Sequence, residues 1–375
     1  MKKKALIAMS GGVDSSVAAA LMIQKGYECT GCTMRLFDYT GIHLPEQNTC
    51  CGLDDVQDAR SVAETLGMEF KVLNFMDEFR CKVMDRFVDE YLRGRTPNPC
   101  IDCNRYMKFG RLWEWAKENG YDVIVTGHYA HVSYDEDSGR WCLERAKNTA
   151  KDQSYVLYAM TQEQLAHTRF PLGEAQDKNQ IRAMAKQYGF VNSSKPDSQD
   201  ICFVPDGVYA DFIERQTGET PAHGNFVDEQ GNILGEHKGL VRYTIGQRKG
   251  LGLALPQPMF VKRKDMERNE VILTVSEGLY TRRLVAEDFN WIWTPDWRQT
   301  AGDGADAPRA GTILEVTAKP RYRAKEAPAS VRVLEGGNVE ILFHEPQRAL
   351  TTGQAVVLYS GDKVVGGGTI AEVTE

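Results

Sequence analysis

A short apolar run at residues 5–8 leads directly into two adjacent glycines, and residues that favour a helix follow them. This order predicts a buried strand, a tight turn and a helix, because glycine lets the backbone turn sharply and approach a ligand closely. The first amides of such a helix face an anion, with the positive end of the helix dipole behind them. The serine hydroxyls can add donors, and Asp14 can hold a metal-bound water or a backbone amide. We therefore predict an anion-binding loop that comprises Ala8, Met9, Ser10, Gly11, Gly12, Val13, Asp14 and Ser15.

Strands and helices are predicted to alternate over about the first 200 residues. The predicted strands are 5–9, 28–34, 69–75 and 121–126, and the predicted helices are 14–25, 53–66, 77–92 and 104–119. This alternation is typical of an α/β fold with a doubly wound parallel sheet of Rossmann-like type, in which ligands bind beyond the carboxyl ends of the strands. Because the glycine loop, Met34 and Gly127 lie at such ends, we expect them to converge on one pocket.

The pattern changes near residue 205, after which short β-like runs alternate with Gly, Pro and Asn turns. Such runs occur at 271–275, 331–334, 339–343 and 355–359. They predict an all-β remainder, with a small mainly-β middle domain and a C-terminal β-barrel. The expected domains are residues 1–204, 205–283 and 284–375.

The formal net charge of −7 argues against a strongly basic nucleic-acid-binding protein. The charge is unevenly distributed, however. Residues 238–268 hold eight basic and two acidic side chains, and residues 319–325 hold four basic side chains and no acidic one. Such patches can bind phosphates within an acidic protein, although ordinary solvated surfaces also carry them.

No apolar run approaches the roughly 20 residues that a membrane span needs, so no membrane association is expected. The N-terminal segment is too short and too polar for a secretory signal, which favours a cytoplasmic location. In that compartment the nine cysteines, an odd number, do not suggest a structural disulfide framework. Metal, redox or sulfur chemistry is the better use for the special ones among them.

Cys100 and Cys103 form a Cys-x-x-Cys pair, and Cys202 lies in a second polar segment. The pair suits a redox site, half of a zinc site or iron–sulfur ligation. A zinc site would need a second cysteine pair or a histidine pair at suitable spacing.

The remaining cysteines divide by their predicted elements. Cys29 and Cys32 also form Cys-x-x-Cys, but they lie in a predicted strand, where their side chains point to opposite faces or into the core, so we interpret them as structural. Cys81 and Cys142 are predicted to be packing residues. The role of the adjacent Cys50 and Cys51 stays open.

The glycine loop lacks the Gly-Lys-Ser/Thr of a Walker loop and resembles the PP-loop of ATP pyrophosphatases, which cut ATP between its first and second phosphates and adenylate a substrate. Four further motifs follow in order, and together the five resemble the bacterial tRNA-specific 2-thiouridylases, the MnmA family, over essentially the whole chain. The motifs are residues 10–16, Gly127-His128-Tyr129, residues 151–155, Asp197-Ser198 with Ile201-Cys202-Phe203, and residues 246–251.

The resemblance implies a reaction and its participants. Members of the family convert uridine 34, the wobble base of certain tRNAs, to 2-thiouridine. The cofactors implied are ATP and Mg²⁺, with a [4Fe–4S] cluster as one possibility. The partners implied are the anticodon loops of tRNAs for Glu, Gln and Lys, and a sulfur donor such as a cysteine desulfurase or a sulfur-relay protein.

The resemblance also implies roles for single residues. Residues 8–15 would bind ATP, and Met34 and Gly127 would line the adenine and ribose side. Cys103 would be the nucleophile, and Cys202 would carry a persulfide. Asn98, Pro99 and Cys100 would lie beside the target base, whereas the tRNA contacts would come from Lys151, Asp152, Gln153, Arg321 and Tyr322.

The chain departs from the family pattern at one position, because many members have aspartate where Cys100 stands. An acid–base role for this position becomes doubtful, and a cluster formed by Cys100, Cys103 and Cys202 becomes more attractive. Two routes for sulfur stay open, one through a persulfide on Cys202 and one through a sulfide held by the open iron of a cluster.

Two other kinds of function compete with tRNA thiolation. A PP-loop enzyme that adenylates a small molecule would exchange ATP and pyrophosphate without tRNA, but it needs neither paired thiols nor an all-β tail. A non-enzymatic RNA-binding or sulfur-carrier protein would consume no ATP, which leaves the intact loop without a role.

Overall fold

The computed structural model describes residues 2–37, 53–196, 201–204, 207–302 and 304–374. The strands in chain order are β1 (Lys4–Ala8), β2 (Glu28–Arg35), β3 (Glu69–Asn74), β4 (Val123–Val125), β5 (Ala130–Asp135), β6 (Arg140–Arg145), β7 (Thr168–Arg169), β8 (Gly224–Val227), β9 (Ile233–His237), β10 (Phe260–Asp265), β11 (Glu270–Thr274), β12 (Tyr280–Trp291), β13 (Ile313–Lys319), β14 (Ala327–Val333), β15 (Val339–Arg348), β16 (Ala355–Ser360) and β17 (Lys363–Thr374). The helices are α1 (Val13–Gln24), α2 (Leu53–Thr65), α3 (residues 76–92), α4 (residues 99–118), α5 (Gln162–Ala166), α6 (Lys178–Gln187), α7 (Tyr209–Thr217) and α8 (Trp297–Thr300).

The first sheet is parallel and has the strand order β3-β2-β1-β4-β7. Ile7 in β1 pairs with Gly31 of β2 on one side and with Val125 of β4 on the other. Ligands in such sheets bind at the carboxyl ends of the two strands between which the strand order reverses. Those strands are β1 and β4 here, so the glycine loop and Gly127 lie at the same place. The predicted α/β fold is confirmed.

The two faces of this sheet carry separate cores, because successive side chains of a strand point in opposite directions. Leu6 and Cys32 lie in one core, whereas Ala5 and Ile7 lie in the other, with Cys29 packed against it. Burial raises the pKa of the Cys29 thiol to about 11 and that of Cys32 to about 12. Cys32 is buried in one core and Cys29 packs against the other, so their predicted structural role is confirmed.

The predictions for the other two packing cysteines have different outcomes. Cys142 is buried in β6, as predicted, and burial raises the pKa of its thiol to about 12. Cys81 is exposed, so the prediction that it packs in the core is wrong. Helix α3 turns Phe79, Val83 and Phe87 inward at a spacing of four residues, and Cys81 lies between them on the other side of the helix.

Helices α3 and α4 each contain a π-helical stretch, at Arg80–Met84 and Cys103–Arg111. Helix α4 begins at Pro99, earlier than the predicted start at residue 104. The side chain of Asn98 accepts a hydrogen bond from the Cys100 amide at 3.2 Å, and proline suits the first helical position. Cys100 and Cys103 therefore lie on the helix, and π-helical stretches are frequent at functional sites.

A four-stranded sheet with the order β10-β11-β8-β9 forms the middle part of the chain. The expectation of an all-β remainder after residue 205 is wrong for α7, which precedes this sheet. Phe212 of α7 is buried and packs against Phe87 and Phe203 at ring-centroid distances of 6.0 and 5.2 Å. Gly218 then ends the helix in a left-handed conformation.

The C-terminal strands close into a six-stranded barrel in the order β12-β15-β14-β13-β16-β17, and β17 pairs back with β12. The predicted C-terminal β-barrel is confirmed. The hairpin β5–β6 extends this sheet, since Glu144 pairs with Lys363 and the Arg145 amide donates to the Asp362 carbonyl at 2.9 Å. A hairpin from the first 204 residues therefore joins the barrel sheet, which the sequence pattern did not predict.

Across the described ranges of the chain, the structure contains no helix that is both long enough and apolar enough to cross a membrane.

The barrel also contacts the first part of the chain through Tyr155, whose fully buried hydroxyl donates to the Ala355 carbonyl at 2.7 Å. We expect Tyr155→Phe to lower the free energy of unfolding by about 1–2 kcal/mol, because the substitution leaves a buried carbonyl without its donor. Urea unfolding checks this value. Tyr134→Phe, at an exposed tyrosine in β5, is the matched control and should change stability by less than about 0.5 kcal/mol.

Candidate active site

The loop between β1 and α1 is shaped by Gly11, which has a left-handed backbone with φ of 71°. A Cβ atom at this position would lie 2.8 Å from the Cα atom of Asp55 in α2, so the loop passes directly against that helix. Gly12 precedes α1 in an extended conformation and has no side chain to cap the helix, and the first amides of a helix can bind an anion. The loop therefore has the backbone geometry that the sequence predicted.

The loop serines divide into internal and exposed groups. The Ser15 hydroxyl donates to the Gly12 carbonyl at 3.1 Å and accepts from the Ser10 amide at 3.2 Å. The Ser16 hydroxyl also donates to the Gly12 carbonyl, at 3.0 Å. Ser15 and Ser16 are buried and stabilise the turn, whereas Ser10 is exposed. The sequence-based idea that all three hydroxyls face a ligand is therefore too broad.

Asp14 has partners that sequence analysis missed. Both of its carboxylate oxygens lie 2.7 Å from Nζ of Lys178, the first residue of α6. The Tyr129 hydroxyl donates to the same carboxylate at 2.7 Å. Asp14 thus binds an ammonium and a phenol, rather than the backbone amide that was one of its expected partners. No local sequence pattern connects Asp14 to Lys178, because 164 residues separate them.

The loop is also held from behind by the segment that follows α6. The Asn192 amide donates to the Gly11 carbonyl at 2.8 Å and to the Ser16 hydroxyl at 3.0 Å. Lys195 lies 2.6 Å from carboxylate oxygens of both Asp55 and Asp58 in α2. These contacts fix the loop between α2 and the α6 side of the sheet.

Gly127 lies directly against the start of α1. A Cβ atom on Gly127 would be 2.7 Å from the Ser15 amide nitrogen and 3.1 Å from Cβ of Asp14. The next residue, His128, is buried, and Lys108 of α4 lies 3.5 Å from its ring. Burial, together with the Lys108 charge, lowers the pKa of His128 well below its usual value, so the imidazole is neutral. Residues 127–129 therefore contact both the glycine loop and the helix that carries the cysteines.

Met34 lies near the end of β2 and is buried, in the same core as Leu6. Its predicted place at the adenine side is therefore on the sheet edge shared with the glycine loop. The neighbouring Met9 donates its amide to the Cys32 carbonyl at 2.7 Å, which aligns β1 and β2 as they enter the loop.

Cys100 is exposed and Cys103 is half-buried on α4. Three residues separate them, so they share one side of the helix. Asn98, which precedes the helix, lines a cavity of about 400 Å³ against the barrel together with Asp102 and Arg105. Burial raises the pKa of the Asp102 carboxyl to about 6, although Arg86 at 3.5 Å favours the charged form.

Cys202 is half-buried and packs against the same core as Cys103. Its neighbour Phe203 anchors this segment, with ring-centroid distances of 5.7 Å to Phe79 and 5.4 Å to Phe87. Both cysteines therefore border the same core, although 99 positions separate them in the sequence. Other positions named from the sequence, Asp197, Ser198, Cys50 and Cys51, lie outside the described residues.

The donor set does not fit an iron–sulfur cluster in this arrangement. Among the residues that the structure describes, no three His, Cys, Asp or Glu side chains are close enough together to hold a metal ion. Cys100, Cys103 and Cys202 are all described, so they do not form a three-thiolate ligand set here.

The first segment predicted to contact tRNA is largely engaged in internal hydrogen bonds. The buried Asp152 accepts from the Ala146 amide at 3.0 Å and from the Ser154 hydroxyl at 2.7 Å. Gln153 accepts from the Tyr129 amide at 2.9 Å. Both side chains therefore stabilise the conformation of this segment and its contact with Tyr129.

The second segment is on the barrel. The Tyr322 ring lies 5.7 Å from that of Tyr155, with the Lys319 ammonium 5.6 Å from the Tyr322 centroid. Burial raises the pKa of the Tyr322 hydroxyl. The turn that carries Tyr155 also contacts the cysteine helix, because the Asn104 amide donates to the Val156 carbonyl at 3.0 Å, so Tyr322 lies on the same side of the molecule as α4. Arg321 is half-buried and donates to the Arg348 carbonyl at 2.9 Å.

The basic stretch 238–268 exposes less charge than its sequence suggests. Arg242 pairs with Asp211 and Glu214, Lys262 pairs with Glu229, and the Lys264 ammonium is buried. The exposed members are Lys238, Arg248, Lys249, Arg263 and Arg268.

A glycine turn and a helix start at the point of reversal of a parallel sheet place the chain in the class of ATP-binding PP-loop α/β proteins. Three family models match successive parts of it: tRNA methyl transferase HUP domain over residues 3–206, tRNA methyl transferase PRC-barrel domain over 210–275, and Aminomethyltransferase beta-barrel domain over 281–370.

Relatives named tRNA-specific 2-thiouridylase MnmA match the whole chain. The protein from Acetivibrio thermocellus is 49% identical and covers 98% of this chain and 99% of its own length. That from Moorella thermoacetica is 49% identical, with 99% and 100% covered, and that from Carboxydothermus hydrogenoformans is 47% identical, with 98% of each covered. The chain belongs to the MnmA family of tRNA-specific 2-thiouridylases.

Solved structures share less with this chain. A 4-thiouridine synthetase in complex with RNA and ATP is 20% identical, with 58% of this chain and 50% of that chain covered and a TM-score of 0.36. A likeness of this size supports no conclusion about this chain.

The two loop glycines provide a matched test of the loop geometry. We expect Gly11→Ala to lower the free energy of unfolding by about 1–3 kcal/mol, because it combines a left-handed backbone with a clash against α2. The nearest atom to a Cβ on Gly12 is the Ser10 hydroxyl oxygen at 3.4 Å, so Gly12→Ala should cost at most about 1 kcal/mol. Chemical denaturation of both variants measures the difference, and equal losses would contradict this account of the loop.

Proposed function

We propose that this chain is an ATP-dependent tRNA 2-thiouridylase that replaces the C2 oxygen of the wobble uridine, U34, with sulfur and releases AMP and pyrophosphate. The observation that carries the proposal is the position of residues 127–129. Gly127 and Tyr129 contact the glycine loop, while His128 contacts α4, which bears Cys100 and Cys103. An ATP site and a thiol site therefore share one wall.

The first step activates the base. The C2 carbonyl oxygen of uracil attacks the α-phosphorus of ATP, the bond from that phosphorus to the α,β-bridging oxygen breaks, and pyrophosphate leaves. ATP enters as its magnesium complex, in which the metal ion neutralises part of the phosphate charge. The amides at the start of α1 bind the departing anion, and the neutral His128 adds no competing charge at this wall.

The second step introduces sulfur. A donor protein, such as a cysteine desulfurase or a sulfur-relay protein, leaves a persulfide on Cys202. The terminal sulfur attacks C2 of the adenylated base, and AMP departs with the former C2 oxygen. The Cys103 thiolate then attacks the inner sulfur of Cys202, the sulfur–sulfur bond breaks towards the base, and 2-thiouridine is released. The resulting Cys103–Cys202 disulfide is reduced by a dithiol before the next turnover.

The persulfide route is preferred to a cluster because it needs two thiols rather than three. The packing of Cys103 and Cys202 against one core supports such a pair. The described cysteines do not offer a three-thiolate set. In this proposal Cys100 lies beside the target base, together with Asn98 and Pro99, and has no obligatory role in sulfur transfer.

The other predicted site residues keep the roles that the sequence suggested. Met34 and Gly127 line the adenine and ribose side, and Lys151, Arg321 and Tyr322 lie nearest the anticodon loop. The acceptors are tRNAs for Glu, Gln and Lys, and since ATP and tRNA are the substrates we place the activity in the cytoplasm. The proposed domains are residues 1–204, 205–283 and 284–375.

Cysteine variants test the route of sulfur. We expect Cys103→Ser and Cys202→Ser each to abolish formation of 2-thiouridine, measured by nucleoside mass spectrometry, while tRNA-dependent release of pyrophosphate persists, because each variant lacks one partner of the transfer. Cys100→Ser should keep at least about a tenth of the wild-type rate. Cys81→Ser, at an exposed cysteine on α3, is the control and should match the wild type.

Iron content measured after anaerobic purification decides between the two sulfur routes. About four irons per chain, lost together with activity in Cys100→Ser, would contradict the persulfide route. Exchange of labelled pyrophosphate into ATP in the absence of tRNA would instead support a small-molecule substrate.

Charge reversal on the barrel tests the tRNA contact. Arg323 and Lys325 are exposed beside Tyr322, unlike Arg321, so Arg323→Glu with Lys325→Glu spares the barrel core. We expect the log–log salt dependence of tRNA binding to flatten by about one unit for each lost phosphate contact, with ATP binding unchanged. Arg332→Glu, an exposed residue towards the other end of β14, is the control. Equal slopes in all three proteins would mean that this surface faces solvent.

A further inference from the structure

We infer that Lys178 supplies the protein's positive charge for the departing pyrophosphate, and that Asp14 and Tyr129 hold its ammonium group at the glycine loop. The inference rests on the proposed ATP-dependent adenylation and names a further residue that acts in it. Neither Lys178 nor the contact from Tyr129 to Asp14 belongs to a motif that the sequence reveals.

The glycine loop brings no cation of its own. Between Ala5 and Gln24 the sequence contains no lysine or arginine, whereas loops of the Gly-Lys-Ser/Thr type carry a lysine that reaches the β- and γ-phosphates. The start of a helix contributes only about half a unit of positive charge. Asp14 adds a negative charge at the same place. A cation from elsewhere in the chain is needed to favour a multiply charged anion here.

Lys178 is placed to be that cation. Its Nζ atom lies 2.7 Å from each carboxylate oxygen of Asp14, which is in the first turn of α1. The Lys178 side chain is 12% exposed and the Asp14 side chain is 29% exposed, so the pair is sheltered on the protein side and open on the other. The Tyr129 hydroxyl fixes the carboxylate at 2.7 Å. The ammonium is therefore anchored where the phosphate chain would lie, instead of extending into solvent.

Lys195, a second lysine near the loop, has a different position. It lies 2.6 Å from both Asp55 and Asp58, on the α2 side and behind Gly11. Its charge is shared by two carboxylates that support the loop from outside. Lys178 instead pairs with Asp14, whose carboxylate belongs to the first turn of α1.

The chemistry of adenylation gives this charge a role. As the bond from the α-phosphorus to the bridging oxygen breaks, both electrons stay on that oxygen, and negative charge grows on the pyrophosphate. A fixed ammonium stabilises the growing charge more than it stabilises bound ATP, so it raises the rate as well as the affinity. No proton is transferred, and Lys178 remains an ammonium throughout.

The test uses the full-length protein with magnesium ATP and an unmodified tRNA transcript. We expect Lys178→Met to lower kcat for pyrophosphate release by about 100-fold and to weaken inhibition by added pyrophosphate by at least about tenfold, while inhibition by AMP changes by less than about twofold. Lys178→Arg, which keeps the charge, should stay within about tenfold of the wild type. Lys117→Met, which breaks an exposed pair with Glu163 at 2.9 Å, is the control.

The two inhibitors separate a charge effect from a loss of structure. Equal weakening of inhibition by pyrophosphate and AMP, or wild-type inhibition by pyrophosphate, would overturn the role of Lys178. If Lys178→Met is not folded by circular dichroism, Lys178→Gln carries the same comparison, because it keeps a polar tip for Asp14 and removes only the charge. A wild-type protein that releases no pyrophosphate with tRNA would contradict the proposed function itself, whereas an active wild type with unaffected Lys178 variants contradicts this inference alone.

Discussion

The candidate active site depends on the close approach of Gly127 to the first turn of α1. A side chain at this position would come within 2.7 Å of the Ser15 amide, so only glycine lets the end of β4 lie beside the end of β1. The two residues that follow extend the contact, with His128 against Lys108 of α4 and Tyr129 against Asp14. One short backbone segment therefore sets the distance between the anion-binding loop and the helix that carries the cysteines. The glycine loop without this contact would be an isolated strand–helix turn.

The parts of the structure that sequence could predict are those determined by local patterns. An apolar run, two glycines and a helical segment define β1, the loop and α1 from about twenty consecutive residues. Alternation of strands and helices then predicts the parallel sheet, and the sheet places Met34 and Gly127 at one edge. The strand position of Cys29 and Cys32 likewise predicts that they face opposite cores. Each of these inferences needs only the period of side chains along an element.

The parts that sequence could not predict come from contacts between distant segments. Lys178 and Asp14 are in separate helices, and neither carries a motif that names the other as its partner. The inward hydroxyls of Ser15 and Ser16 follow from the turn geometry and not from composition. Helix α7 has an apolar side that packs on Phe87 and Phe203. It is only nine residues long and lies among turn residues, so its apolar pattern is too short to predict a helix. The exposure of Cys81 could not be predicted either, because it depends on which side of α3 packs against the core.

The position of the barrel relative to the site follows from the hairpin that sequence analysis did not assign to it. Strand β5 begins at Ala130, immediately after Tyr129, and β6 returns to pair with β17 of the barrel. The barrel sheet is thus continuous with the wall of the active site, through backbone hydrogen bonds rather than through a linker. The buried hydroxyl of Tyr155 adds a second connection to β16. Tyr155 also contacts the Tyr322 ring, and the adjacent Val156 carbonyl accepts a hydrogen bond from Asn104 of α4, so the fold itself holds the Tyr322 loop near the cysteine helix. In the proposed thiolation, an RNA substrate bound to the barrel would therefore meet the cysteine helix and the glycine loop at distances that the fold sets.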